Sequence, residues 1–125
     1  MRAGLVILLS LLTALPCTAQ GSPPTPDRAA RLLQRGDALF GANNSRKTTW
    51  KAIGFYREAL KLDNRSYEAN WRAARAFARL ADRDLKEGKN SGTLGRQGHY
   101  YAVQAMAAGP KRVEGYYWAG ICIGQ

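Results

Sequence analysis

Apolar residues recur at helical spacing from Arg28 onward. Leu32, Leu33, Leu39 and Phe40 mark one amphipathic stretch, and Ile53, Phe55, Tyr56, Leu60 and Leu62 mark a second. Between them Gly41–Thr49 is polar and rich in turn residues, so the two stretches are expected to fold back on each other as a helical hairpin, with Asp27 capping the first helix. A third helix is predicted from Tyr67 to about Ala81, where Trp71, Ala74, Phe77, Ala78 and Leu80 keep the period among arginines. The segment Asp82–Gly95 reads as an inserted loop, because Lys86–Gly92 carries charge and glycine without an apolar face. A fourth helix from about Gln97 to Ala108 ends at Gly109-Pro110, and a fifth runs from Val113 to Ile123. No segment alternates long enough to make a strand, so the fold class is all-α.

The first residues read differently. Met1 and Arg2 precede an apolar run, Gly4–Leu15, of signal-peptide length, and Cys17-Thr18-Ala19 places small residues where a signal peptidase cuts. Residues 1–19 are therefore expected to be a signal peptide, with an exported, periplasmic chain starting at Gln20. Lipid attachment at Cys17 is the rival, and Pro16 in front of that cysteine argues against it. Residues 20–27 form a proline-rich linker, and 28–125 form the helical domain. After signal removal no run is long enough to cross a bilayer, and Cys122 is left without a disulfide partner.

The helices also resemble one another. Ala52-x3-Tyr56-x2-Ala59 recurs loosely as Gly98, Ala102 and Ala105, and Leu33-x2-Gly36 aligns with Trp71-x2-Ala74 and Tyr117-x2-Gly120. Small residues at these offsets let antiparallel helices approach closely. The pattern resembles the tetratricopeptide repeat (TPR), and the extra length between repeats matches the two polar loops. The resemblance implies TPR-type hairpins stacked as a short right-handed solenoid: repeat one about 28–64, repeat two about 66–110 with the inserted loop 82–95, and a partial repeat three over 111–125. Asn64, Asn70 and Gly98 depart from the repeat pattern. The signal peptide, the insertion and the run Pro110-x2-Val113-Glu114-Gly115-Tyr116-Tyr117-Trp118-Ala119-Gly120 add a narrower likeness. It is to exported TPR proteins related to the T component of TRAP transporters and to the regulator of microtubule dynamics family.

That resemblance implies a non-catalytic scaffold that binds a protein, a peptide or a small anionic ligand in a concave groove, as an accessory of a TRAP-type solute transport system in one version. The groove would be lined by Leu33, Asp37 and Phe40 of the first repeat, Trp71, Arg75, Ala78 and Arg79 of the second, and Tyr117 and Ile121 of the third. Arg72, Arg75, Arg79 and Arg83 share one side of their helix, and Trp71 beside Arg75 and Arg79 suits a carboxylate. The competing reading is a solvated arginine face.

Nineteen Lys and Arg against nine Asp and Glu give a net charge of +10. The excess favours anionic partners, although arginine-rich composition alone would leave the same figure. A basic nucleic-acid- or anionic-surface-binding protein is the rival class, and export argues against nucleic acid. Catalysis has little to stand on: His99 is the only histidine, Cys122 lies in an apolar helix, and no metal or cofactor cluster is evident. Asn43-Asn44-Ser45 and Asn64-Arg65-Ser66 fit the glycosylation pattern but read as turn asparagines. The fifth helix is apolar on most sides with no second helix to cover it, so either self-association through it is expected or the sequence is a fragment of a longer reading frame.

Overall fold

The computed structural model describes residues 25–125, so the expected signal peptide and most of the linker lie outside the described residues. Five helices follow in order: α1 Thr25–Ala42, α2 Arg46–Leu62, α3 Tyr67–Lys86, α4 Gly92–Ala108 and α5 Val113–Ile123. The chain is all-α, and successive helices pack as hairpins in the manner of TPR-like repeats. α1, α3 and α5 touch in series along one side, and α3 meets all four other helices. The backbones of α2 and α4 stay apart, and Arg57 Nε donates to Tyr101 Oη across the gap at 3.2 Å.

Small residues make this packing possible. Ala52, Ala59, Ala102 and Ala105 are fully buried, and larger side chains interdigitate around them: Ile53, Tyr56, Phe77 and Leu80 fill the main core, with Leu33, Leu39 and Phe40 against it. Gly36 and Gly98 are among the glycines that sit where no larger residue fits. A Cβ on Gly36 would penetrate the buried Tyr56 ring, and one on Gly98 would lie 2.5 Å from Cys122 Sγ and 3.2 Å from Phe77 Cβ. Gly98 departs from the repeat pattern because Cys122 already occupies the space an alanine methyl would need.

The inserted loop is much shorter than its composition indicates. α3 continues to Lys86 and α4 begins at Gly92, so only 87–91 of the expected loop 82–95 is outside a helix. The disguise has two causes. Asp84 reads as polar but is buried, and Arg46 from α2 pairs with it. Gly95 reads as a breaker but is a contact surface, since a Cβ there would meet the Cys122 carbonyl at 3.1 Å. Gly88, at φ +70°, then turns the chain where a side chain would be strained.

The other helix ends also reach past their expected limits. α1 starts at Thr25 inside the expected linker, with Asp27 in its first turn paired to Arg31 rather than acting as the cap. Of Gly41–Thr49 only 43–45 is outside a helix: the Ser45 side chain accepts from Thr48 N at 3.1 Å and starts α2 there. Ser66 does the same for α3, accepting from Ala69 N at 3.2 Å. Buried Asn70, another departure from the repeat pattern, donates to the Ser66 and Asn64 carbonyls and so fastens the α2–α3 turn.

Candidate functional site

The inner side of α3 carries Trp71, Arg72, Arg75, Arg79 and Arg83 at spacings that return to one face each turn. Its N-terminal half is electrostatically saturated. Asp37 of α1 accepts from Tyr56 Oη at 2.7 Å, from Arg72 Nε at 3.0 Å and from Arg75 Nη2 at 3.3 Å. Glu68 accepts from Arg72, from Trp71 Nε1 at 3.1 Å and from Arg112 at 2.8 Å. Burial alone would weaken the Arg72 charge, but its bonds to Glu68 and Asp37 outweigh this and raise its pKa. Burial, reinforced by the bond to Asp37, pushes the Tyr56 phenol far above its usual value. The cluster therefore holds a neutral phenol on the Asp37 carboxyl group and locks α1, α2 and α3 together.

Toward the C-terminal half of α3 the arrangement changes. Arg75 Cζ lies 4.0 Å from the Phe40 ring centroid and 5.0 Å from that of Trp71, and Arg79 Cζ lies 3.2 Å from Phe40. Arg79 Nη1 donates to the Phe40 carbonyl at 2.7 Å, which fixes the guanidinium against α1. No carboxylate lies within ion-pair distance of Arg79 among the described residues. Burial lowers its pKa, and the positive charges of Arg75 and Arg83 lower it further.

A cleft of about 460 Å³ opens beside this arginine. Phe40 and Asn44 line it from the α1 side, Arg75, Ala78, Arg79 and Asp82 from α3, and Tyr117, Trp118 and Ile121 from α5, with Gln125 at its edge. Three inner helices thus contribute to one concavity.

Among the residues expected in the groove, Phe40, Arg75, Ala78, Arg79, Tyr117 and Ile121 meet in this cleft. Leu33 does not: it packs into the core, because its turn of α1 faces α2 and α3. Asp37 and Trp71 stand off the cleft in the saturated half, where Asp37 holds Arg72 and Arg75 and Trp71 stacks with the same two guanidinia. The expected plate of Trp71 beside two open forks is accordingly replaced by Phe40 beside one, Arg79. Asn44, Asp82, Trp118 and Gln125 were not anticipated. Asp82 follows Arg79 by one turn and was hidden by its assignment to a loop.

No group of His, Cys, Asp and Glu among the described residues is placed to hold a metal ion. Cys122 is buried, and desolvation raises its thiol to about 11, so it behaves as a small apolar side chain. His99 is half-buried on α4, on the stripe shared by Gly95, Ala102 and Met106, away from the cleft lining. None of the described helices is long and apolar enough to cross a membrane.

No curated protein and no solved structure matches the chain. Residues 32–125 match the family described as regulator of microtubule dynamics protein 1-3, whereas the likeness to the TRAP T component finds no support. The match spans all five helices but the first turns of α1, so the chain belongs to the regulator of microtubule dynamics protein 1-3 family.

Proposed function

We propose that this protein is a non-catalytic scaffold that binds a segment of a protein partner in the cleft between α1, α3 and α5. The observation that carries the reading is the convergence of Phe40, Ala78, Arg79, Tyr117 and Ile121 from three separate helices on one concavity. Membership of a TPR-like family supports it, because stacked helical hairpins present their inner layer as an extended binding surface. The apolar run and small residues of 1–19 support export. An accessory role beside TRAP-type transport rests on resemblance alone.

Synthetic peptide arrays probed with the full chain test the reading. Bound peptides are expected to be lost from Tyr117→Ala, which removes an exposed wall of the cleft, and from Ala78→Leu, which fills its floor. Peptides that bind both variants as well as the unaltered chain would place recognition elsewhere.

A further inference from the structure

The cleft has a chemical polarity that restricts what it accepts. We propose that it takes an acidic peptide segment, with one carboxylate on the Arg79 guanidinium, backed by Arg83, and an apolar or aromatic side chain of the same segment against Tyr117 and Ile121. The proposal rests on the cleft being the partner site and adds the chemistry of the occupant.

The charge distribution along α3 selects Arg79. Asp37 engages Arg72 and Arg75, and Glu68 engages Arg72 and Arg112. Further along, Asp84 pairs with Arg46, Asp82 with Lys86, and Glu87 with Lys89. These carboxylates all have basic partners, while no ion pair involves Arg79 or Arg83 among the described residues. A neighbouring hollow lined by Asn44, Arg79, Asp82, Arg83, Lys86 and Glu87 shares Asn44, Arg79 and Asp82 with the cleft, so Arg79 and Arg83 border adjoining hollows, and the Glu87 carboxylate there is held by Lys89.

Geometry then makes Arg79 a prepared donor for an anion. Its guanidinium is stacked on Phe40 and anchored through Nη1, so little side-chain freedom is lost when an anion arrives. It carries uncompensated charge in a partly desolvated place, beside Arg75 and Arg83, and an anion relieves that repulsion. Across the recess Tyr117 is 58% exposed and Ile121 37%, and Tyr117 stands edge-on to Trp118 with centroids 4.8 Å apart. That wall offers apolar area in the same cleft as the cation. Asp82 at the rim disfavours a dianion, and a bilayer is too flat to enter a recess between three helices, so a peptide carboxylate fits better than a phosphate headgroup.

Peptide arrays made with free and with amidated C-termini separate a terminal carboxylate from a side-chain one. Bound sequences are expected to place an acidic group next to Phe, Tyr, Trp, Leu or Ile. Arg79→Gln, checked for unchanged helicity by circular dichroism, should raise Kd about ten-fold or more, and replacing the peptide acid by its amide should cost nothing further in that variant. Arg83→Gln, a change at a side chain that, unlike Arg79, is not stacked on Phe40 or bonded to its carbonyl, should raise Kd a few-fold and keeps the test valid if Arg79→Gln misfolds. Peptides lost from Tyr117→Ala but indifferent to Arg79→Gln, Arg83→Gln and the peptide acid would overturn the acidic-ligand proposal and leave the cleft as the partner site. Peptides indifferent to Tyr117→Ala as well, no bound peptides, or binding only to phosphatidylglycerol vesicles, would overturn both.

Discussion

The seam between α1 and α3 and the seam between α4 and α5 solve the same packing problem by opposite means. At the first, polar groups meet: Asp37 on α1 binds Arg72 and Arg75 on α3 and the buried Tyr56 hydroxyl. At the second, small apolar side chains such as Ala102 and Ala119 meet, and the closest approaches are made at glycines. Gly95 and Gly98 lie against Cys122, and a Cβ on Gly115 would lie 2.9 Å from Met106 N. A seam of directional bonds sets its register by what is present, and a seam of glycines sets it by what is missing. The first should therefore fail on truncation and the second on enlargement.

Gly98→Leu should have the largest effect, about 3 kcal/mol of lost stability by overpacking between α3 and α5. Urea denaturation measures it, and Ellman's reagent adds a local readout, since Cys122 should be protected in the unaltered chain and labelled once α5 is forced off. A stable variant with Cys122 still protected would break the comparison. Asp37→Ala should follow at about 2 kcal/mol, because it removes the acceptor of the buried Tyr56 hydroxyl and the carboxylate partner of Arg75, while Arg72 keeps Glu68. Cys122→Ala is the control for the glycine seam, with an expected loss of about 1 kcal/mol or less, since truncation there leaves only a small void. Were it to exceed Asp37→Ala, the distinction between the seams would fail.

The smallest effect concerns acid. Burial of Glu68 raises its carboxyl pKa, yet the hydrogen bonds from Arg72, Arg112 and Trp71 prevail and leave it below the usual value. A depressed carboxyl contributes stability that is present above its unfolded pKa and lost as pH falls through the folded one. For a group this exposed the contribution is a few tenths of a kcal/mol. Thermal melts of the unaltered chain and Glu68→Gln should differ at neutral pH and converge as pH falls through the lowered Glu68 pKa.

The existence and order of the helices were legible in the sequence because the apolar period is strong wherever a helix has a solvated side, as in Leu32–Phe40 and Trp71–Leu80. It failed at the α3–α4 turn, where both helices are flanked on more than one side. There buried positions are filled by Asp84, Ser91 and Gly95, residue types that composition assigns to loops. Arg46, distant in sequence, is what allows Asp84 to be buried. The cleft was legible to the extent that repeat alignment fixes which face of a helix points inward, which located Arg75, Arg79 and Tyr117. Which arginines are already paired was not legible, since that depends on where Asp37 and Glu68 come to rest in three dimensions.

The central place of α3 reaches beyond binding. Repeat arrays in which each unit touches only its neighbours open piecemeal from their ends. Here one helix touches the other four, so neither hairpin can separate without baring a side of α3. The last amide protons to exchange with heavy water should be those around Ala73–Leu80, at a free energy equal to that of global unfolding, while α5 and the first turns of α1 exchange by smaller excursions. What looks in sequence like a string of modules is, in its energetics, one cooperative unit organised around its middle helix.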